Sequence, residues 1–171
     1  MSIQSQLKGF DISKLPMSNG KTIGQNLYAE AQRLRDCIQH RLDIYMASHP
    51  PKMYDRTGNL ESSLTVDDFL SVKVVNNSLQ VELFFDDGAI HMSGDGVITP
   101  TGQIWGGTGE EVNTAILLEY GYRVKKNVWF KDYENFGYRE GAHFVEDGIA
   151  DFNATNTLGI RIEKKINGYI V

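Results

Sequence analysis

Ile23, Leu27, Ala31, Leu34, Ile38, Leu42 and Tyr45/Met46 recur at spacings of three and four, and no other feature of this chain limits its fold as tightly. That spacing puts them all on one face of an α-helix. It predicts one long amphipathic helix over about 22–48. Asn19 or Thr22 can cap its start, because a side-chain oxygen there accepts from a first-turn N–H. Pro50-Pro51 must end it, since proline also biases the residue before it away from helical geometry. Arg33, Arg35, Asp36, Gln39 and Asp43 occupy the rest of the surface. A stripe of this length needs a cover, either the chain's own core or the helix of another subunit.

The remaining punctuation is that of strands and turns. Residues 1–21 are polar, carry Pro16 and Asn19-Gly20, and read as an extended arm or a loop with room for one short turn. After the helix, Thr57-Gly58-Asn59 is turn chemistry, and Leu60 and Leu64 lie one helical turn apart. Val72 to Val75 and Val81 to Phe85 flank Asn76-Asn77-Ser78 and predict a hairpin. Residues 86–112 are Gly-rich and predict a projecting loop, or a second extended hairpin through Val97-Ile98 and Gln103-Ile104-Trp105. Ala115 to Leu118 form an apolar run, and Val124 to Phe130 read as a strand. Phe144, Ile149 and Phe152 predict a short second helix over 142–152. Residues 156–171 read as a final strand with a turn at Asn167-Gly168. The order helix, strands, helix, strand predicts an α+β fold: a long N-terminal amphipathic helix on an antiparallel sheet, with a short helix near the C-terminus.

Composition bounds the class. A chain of 171 residues, 41% hydrophobic and 23% charged, fits one ordinary globular domain over 1–171. No run approaches 18 apolar residues and no signal-peptide core opens the chain, so a soluble protein made in a reducing cytosol is expected. One cysteine, Cys37, makes neither an internal disulfide nor a thiolate zinc site.

The net charge of −5 is unevenly placed. From Val74 to Tyr122 there is no Lys or Arg, while Glu82, Asp86, Asp87, Asp95, Glu110, Glu111 and Glu119 all fall there. The flanking segments are each at +1, so the surplus of negative charge belongs to this window. Non-specific wrapping of nucleic acid needs the opposite balance.

Catalytic patterns are weak. Asp86, Asp87, His91 and Asp95 include metal-ligating types but match no calcium-loop spacing. Cys37 and His40 lie three apart without an orienting third group. Gly106-Gly107-Thr108-Gly109 is followed by Glu110-Glu111, which repels phosphate, where a P-loop needs Lys and Ser/Thr. Residues 120–152 hold half of the aromatic side chains. Core packing accounts for most of these; a small carbohydrate- or protein-binding module using Trp105 and Trp129 is the alternative.

Three short signatures then resemble a known family. Arg56-Thr57-Gly58-Asn59-Leu60 with Ser63-Leu64 and Val66 is similar to the Arg-Thr-Gly-x-Leu-x-x-Ser-Ile/Leu motif of tail-component proteins of long-tailed bacteriophages. Ala115 to Gly121 resembles that family's apolar run ending in Glu-x-Gly, here Glu119 and Gly121. Ala142-His143-Phe144 resembles the Ala-x-Pro-Phe setting that opens its last helix, with His143 where proline is typical. The match runs over about 22–155 in the family's order; the long 86–112 insert and the 156–171 extension depart from it.

The resemblance implies a structural virion protein of the neck or tail (tail completion or head–tail joining). It implies a ring of like subunits, six or more, next to portal, adaptor or tail-tube proteins. It implies no enzyme activity, no cofactor, no metal and no membrane, and assembly in the host cytoplasm. Arg56, Thr57, Gly58, Leu60, Leu64, Glu119, Gly121 and Phe144 are then fold determinants first and subunit contacts second. If the acidic window faces the inside of such a ring, Asp86, Asp87, Asp95, Glu110 and Glu111 make an acidic lumen past which duplex DNA slides without specific binding; a solvated loop on the outside is the alternative.

Overall fold

The computed structural model describes residues 11–49, 59–67, 72–75, 78–86, 91–93, 97–98, 104–105, 111–124, 138–166 and 169–170. A 3₁₀ turn over Ile12–Lys14, capped by Asp11, leads into helix α1, Ile23–Ser48. Thr22, not Asn19, caps α1. Its hydroxyl accepts from the Gln25 N–H, and the Gln25 side chain accepts from the Thr22 N–H, which closes a capping box. Asn19 instead reaches the Asn26 side chain. Pro50-Pro51 lie outside the described residues.

Helix α2, Asn59–Ser63, is a single turn that carries Leu60 inward and hands the chain to strand β1, Leu64–Val66. Strands β2, Lys73–Val75, and β3, Ser78–Gln80, form a tight antiparallel hairpin. Strand β4, Leu83–Phe85, pairs back onto β1, with Leu64 opposite Phe85 and Val66 opposite Leu83. The hairpin expected between Val72–Val75 and Val81–Phe85 is therefore corrected. The short link after Val75 brings Ser78 directly opposite it, and Leu83 and Phe85 are drawn to the apolar face that Leu64 already occupies.

The described residues of the Gly-rich stretch include short strands that pair in a nested order. Strand β5, His91–Ser93, pairs with β8, Glu111–Asn113. Inside that pair, β6, Val97–Ile98, meets β7, Ile104–Trp105, as the hairpin reading anticipates. Helix α3, Thr114–Tyr120, converts the Ala115–Leu118 run into a helix. Strand β9, Gly121–Val124, starts earlier than the strand expected at Val124–Phe130, most of which lies outside the described residues. With β10, Tyr138–Glu140, it completes a four-stranded antiparallel sheet in the order β10-β9-β6-β7.

Helix α4, Phe144–Ala154, packs along α1. The expected C-terminal strand is corrected too. Residues 155–164 join no ladder, and among the described residues of this stretch Lys165–Ile166 (β11) and Tyr169–Ile170 (β12) are the ones that pair, as a minimal hairpin.

The fold is thus α+β, a long N-terminal helix on a small antiparallel sheet with a short C-terminal helix. Its core gathers Ile38 and Leu42 of α1, Leu60, Leu64, Ala115 and Phe144. Leu34, Leu83, Phe85 and Leu118 pack against them, and the Phe85 and Phe144 rings meet edge to face at 5.9 Å. Among the described residues no helix is long and apolar enough to cross a membrane.

Candidate functional site

Two stretches of chain meet where α3 ends and α4 begins. At the close of α3, Gly121 takes φ +79°, which an L side chain rarely adopts, and so turns the chain out of the helix and into β9. Gly141 arrives from β10 and lies against this turn. A Cβ on it would sit 2.2 Å from the Glu119 carbonyl oxygen, so only glycine allows the approach. Two backbone hydrogen bonds follow: the Ala142 N–H donates to Leu118 O at 2.7 Å and the His143 N–H to Glu119 O at 3.2 Å.

The approach leaves His143 at the N-cap of α4 in left-handed geometry, φ 51°, with no side-chain cap of its own. A helix N-terminus has N–H groups without intrahelical partners and a partial positive charge. Glu119 supplies what His143 does not. Its carboxylate accepts the Val145 N–H at 2.8 Å and the Glu146 N–H at 3.1 Å, while its residue is 3% exposed. Burial pushes its carboxyl above the usual range, against the pull of the two N–H groups. Glu119 is thus a long-range cap. One of the seven acids of the acidic window is inside the protein rather than on its surface.

A charged rim surrounds this cap. The Glu146 carboxylate accepts from the Lys164 ammonium at 3.0 Å and lies 3.3 Å from His143 Nδ1. The hydrogen bond from Lys164 holds Glu146 below its usual range. The ammonium also sits 5.0 Å over the Tyr120 ring. Glu119, His143 and Glu146 each bring one donor atom within 4.8 Å of the others. The Lys164 ammonium and the helix N-terminus already balance these carboxylates, so the cluster lacks the uncompensated negative charge that draws in a divalent ion.

The α1–α4 contact is closed from both sides. The Gly148 backbone lies so near Ile38 that a Cβ would be 2.6 Å from the Ile38 Cα. The Arg41 guanidinium grips the Asp151 carboxylate through two bonds, at 2.6 and 2.7 Å. The Arg33 guanidinium lies 4.0 Å from the centre of the Phe152 ring and also donates to Glu30 and to the Thr155 hydroxyl.

Of the residues singled out in the sequence, Leu60, Leu64 and Phe144 share the core, and Glu119 and Gly121 build the α3 turn. Arg56, Thr57, Gly58, Asp87, Asp95 and Glu110 lie outside the described residues. Asp86 is exposed after β4, with its N–H on Ser63 O. Glu111 opens β8 opposite Ser93. Cys37 is half-buried on α1, and burial raises its thiol pKa, which suits a packed thiol. Gly141, Gly148, Lys164 and the Arg41–Asp151 pair were not visible in advance.

No family model, curated protein or solved structure matches the chain.

Proposed function

We propose that this chain is a structural virion protein of the bacteriophage neck or tail, of the tail-completion or head–tail joining kind. It assembles head-to-tail into a closed ring of like subunits around the DNA channel. One observation carries the reading. The three signatures that resemble the tail-component family, far apart in sequence, supply one continuous piece of the interior. Leu60 and Leu64 of the first and Phe144 of the third pack in one core, and Glu119 of the second caps the helix that Phe144 opens. Residues that a family motif would hold for folding are being used for folding.

The contact elements of this reading are the N-terminal arm, the 86–112 stretch and the C-terminal extension. Their partners are neighbouring copies and a portal, adaptor or tail-tube protein. Asp86, Asp87, Asp95, Glu110 and Glu111 line the channel in this reading, so DNA passes them without adhering. The reading involves no catalysis and no cofactor. Mass photometry and negative-stain imaging of the purified protein, alone and with portal or tube protein, test it. Rings of defined copy number, or a stoichiometric complex with either partner, are expected. A strict monomer that ignores both overturns it.

A further inference from the structure

Residues 155–164 leave α4 and turn back on themselves. The Asn156 amide donates to Ile160 O at 2.9 Å, and the Ile160 N–H donates to Asn156 Oδ1 at 3.3 Å, which clamps a small loop. Gly159 at φ +66° and Leu158, 48% exposed, form its tip. From Ile160 the chain has no regular structure, yet its burial alternates: Ile160, Ile162 and Lys164 are half-buried, and Arg161 and Glu163 are exposed. The lengths agree with a course back along α4. Four extended steps from 160 to 164 cover ~13 Å, and the nine helical steps from Thr155 back to Glu146 also cover ~13 Å. At the end of that course the Lys164 ammonium reaches Glu146.

This segment is bound differently from the core. It joins no ladder and buries no side chain fully. Segments with few buried contacts open at low free energy. Its fixed points are the Arg33–Thr155 bond and the Asn156–Ile160 clamp at one end, and Lys164 at the other.

We propose that residues 155–164 form a strap held shut over α4 by the Lys164–Glu146 ion pair, which swings free when that pair is neutralised and releases the hairpin β11–β12 that begins at the next residue. The charged and titratable groups facing the pair are His143 at the α4 N-cap, and Glu119 and Tyr120 of α3. Glu146 keeps its charge down to acidic pH because Lys164 holds its carboxyl low. Glu119 moves the opposite way and is already protonating as the pH falls toward the usual carboxylate range. The strap stands independently of the assembly proposed above.

Hydrogen exchange of the full-length protein tests it, with Lys164→Gln and Glu146→Gln beside the wild type at neutral pH and amides of α1 as the folded control. Amides of 160–166 and 169–170 should exchange about tenfold faster in both variants while α1 and α4 keep their protection. Salt at ~1 M should loosen the wild type in the same region but leave Lys164→Gln unaffected, since screening acts only where the charge pair remains. Unchanged exchange in both variants overturns the proposal. So does an equal loss of protection along α4, which would make the pair part of the core clasp rather than a catch.

Discussion

Glu119 and Val145 are joined by a 2.8 Å hydrogen bond although 26 residues separate them, and through that bond a buried carboxylate ends one helix and starts another. Glu119→Ala leaves the Val145 and Glu146 N–H groups without their acceptor. A loss of about 2 kcal/mol is expected, since cap removal and orphaned donors each cost of that order. Urea denaturation at neutral pH measures it, and faster exchange of the Val145 and Glu146 amides localises it.

The two carboxylates at this junction should give opposite pH signatures. The native Glu119 carboxyl lies above its ordinary value of 4.5, so its contribution to stability is full below 4.5 and is lost as the pH rises through the raised native value. Glu146 lies below 4.5, so its contribution is present above 4.5 and is lost as the pH falls through the lowered value. Urea midpoints taken in pH steps should show the first slope vanish in Glu119→Gln and the second in Glu146→Gln.

Gly148→Ala is expected to destabilise by about 1–3 kcal/mol, because the new methyl meets the Ile38 backbone and the helices must part. Gly20 is the control. It has φ +77° but nothing within 4 Å of a Cβ, so Gly20→Ala pays only backbone strain, about 1 kcal/mol. Thermal melts of the pair separate crowding from conformation.

Arg41 and Asp151 tie the same two helices across 110 residues. Replacing either with alanine should lower stability. The double-mutant cycle should show a favourable coupling that shrinks as salt is raised, because both groups are partly exposed.

Neutralising Asp86, Asp87, Glu110 and Glu111 together should leave assembly intact and slow DNA ejection from particles, if these residues line a channel. Ejection kinetics followed by dye fluorescence check it. An unchanged rate removes the acidic lumen while leaving the ring in place.

The elements that sequence reveals best here are those whose pattern is local. The α1 stripe and its end at Ser48 follow from a repeat in consecutive residues, and Thr22 with Gln25 is a local capping signature. The strand pairing is not local. Leu83 to Phe85 alternates as any strand would, but its partner is 17 to 21 positions back rather than across the nearest turn, because Leu64 already marks the apolar face. Ile160 and Ile162 show why alternation is not a ladder: it records which side is covered, not whether a neighbour strand is present. At the clasp, Glu119 and Phe144 stand out as motif residues. Gly141 and Lys164 do not, since their importance comes from what lies against them after folding.

The pairing of α1 with α4 also sets a timetable. Arg41 leaves the ribosome 110 residues before Asp151. At about 5–20 residues per second that is an interval of about 5–20 s. Through it the Ile38–Leu42 stripe has no α4 to cover it. A nascent chain of this fold must therefore shelter its first helix by other means, and production at high concentration should be limited by what happens in those seconds rather than by the stability of the finished protein.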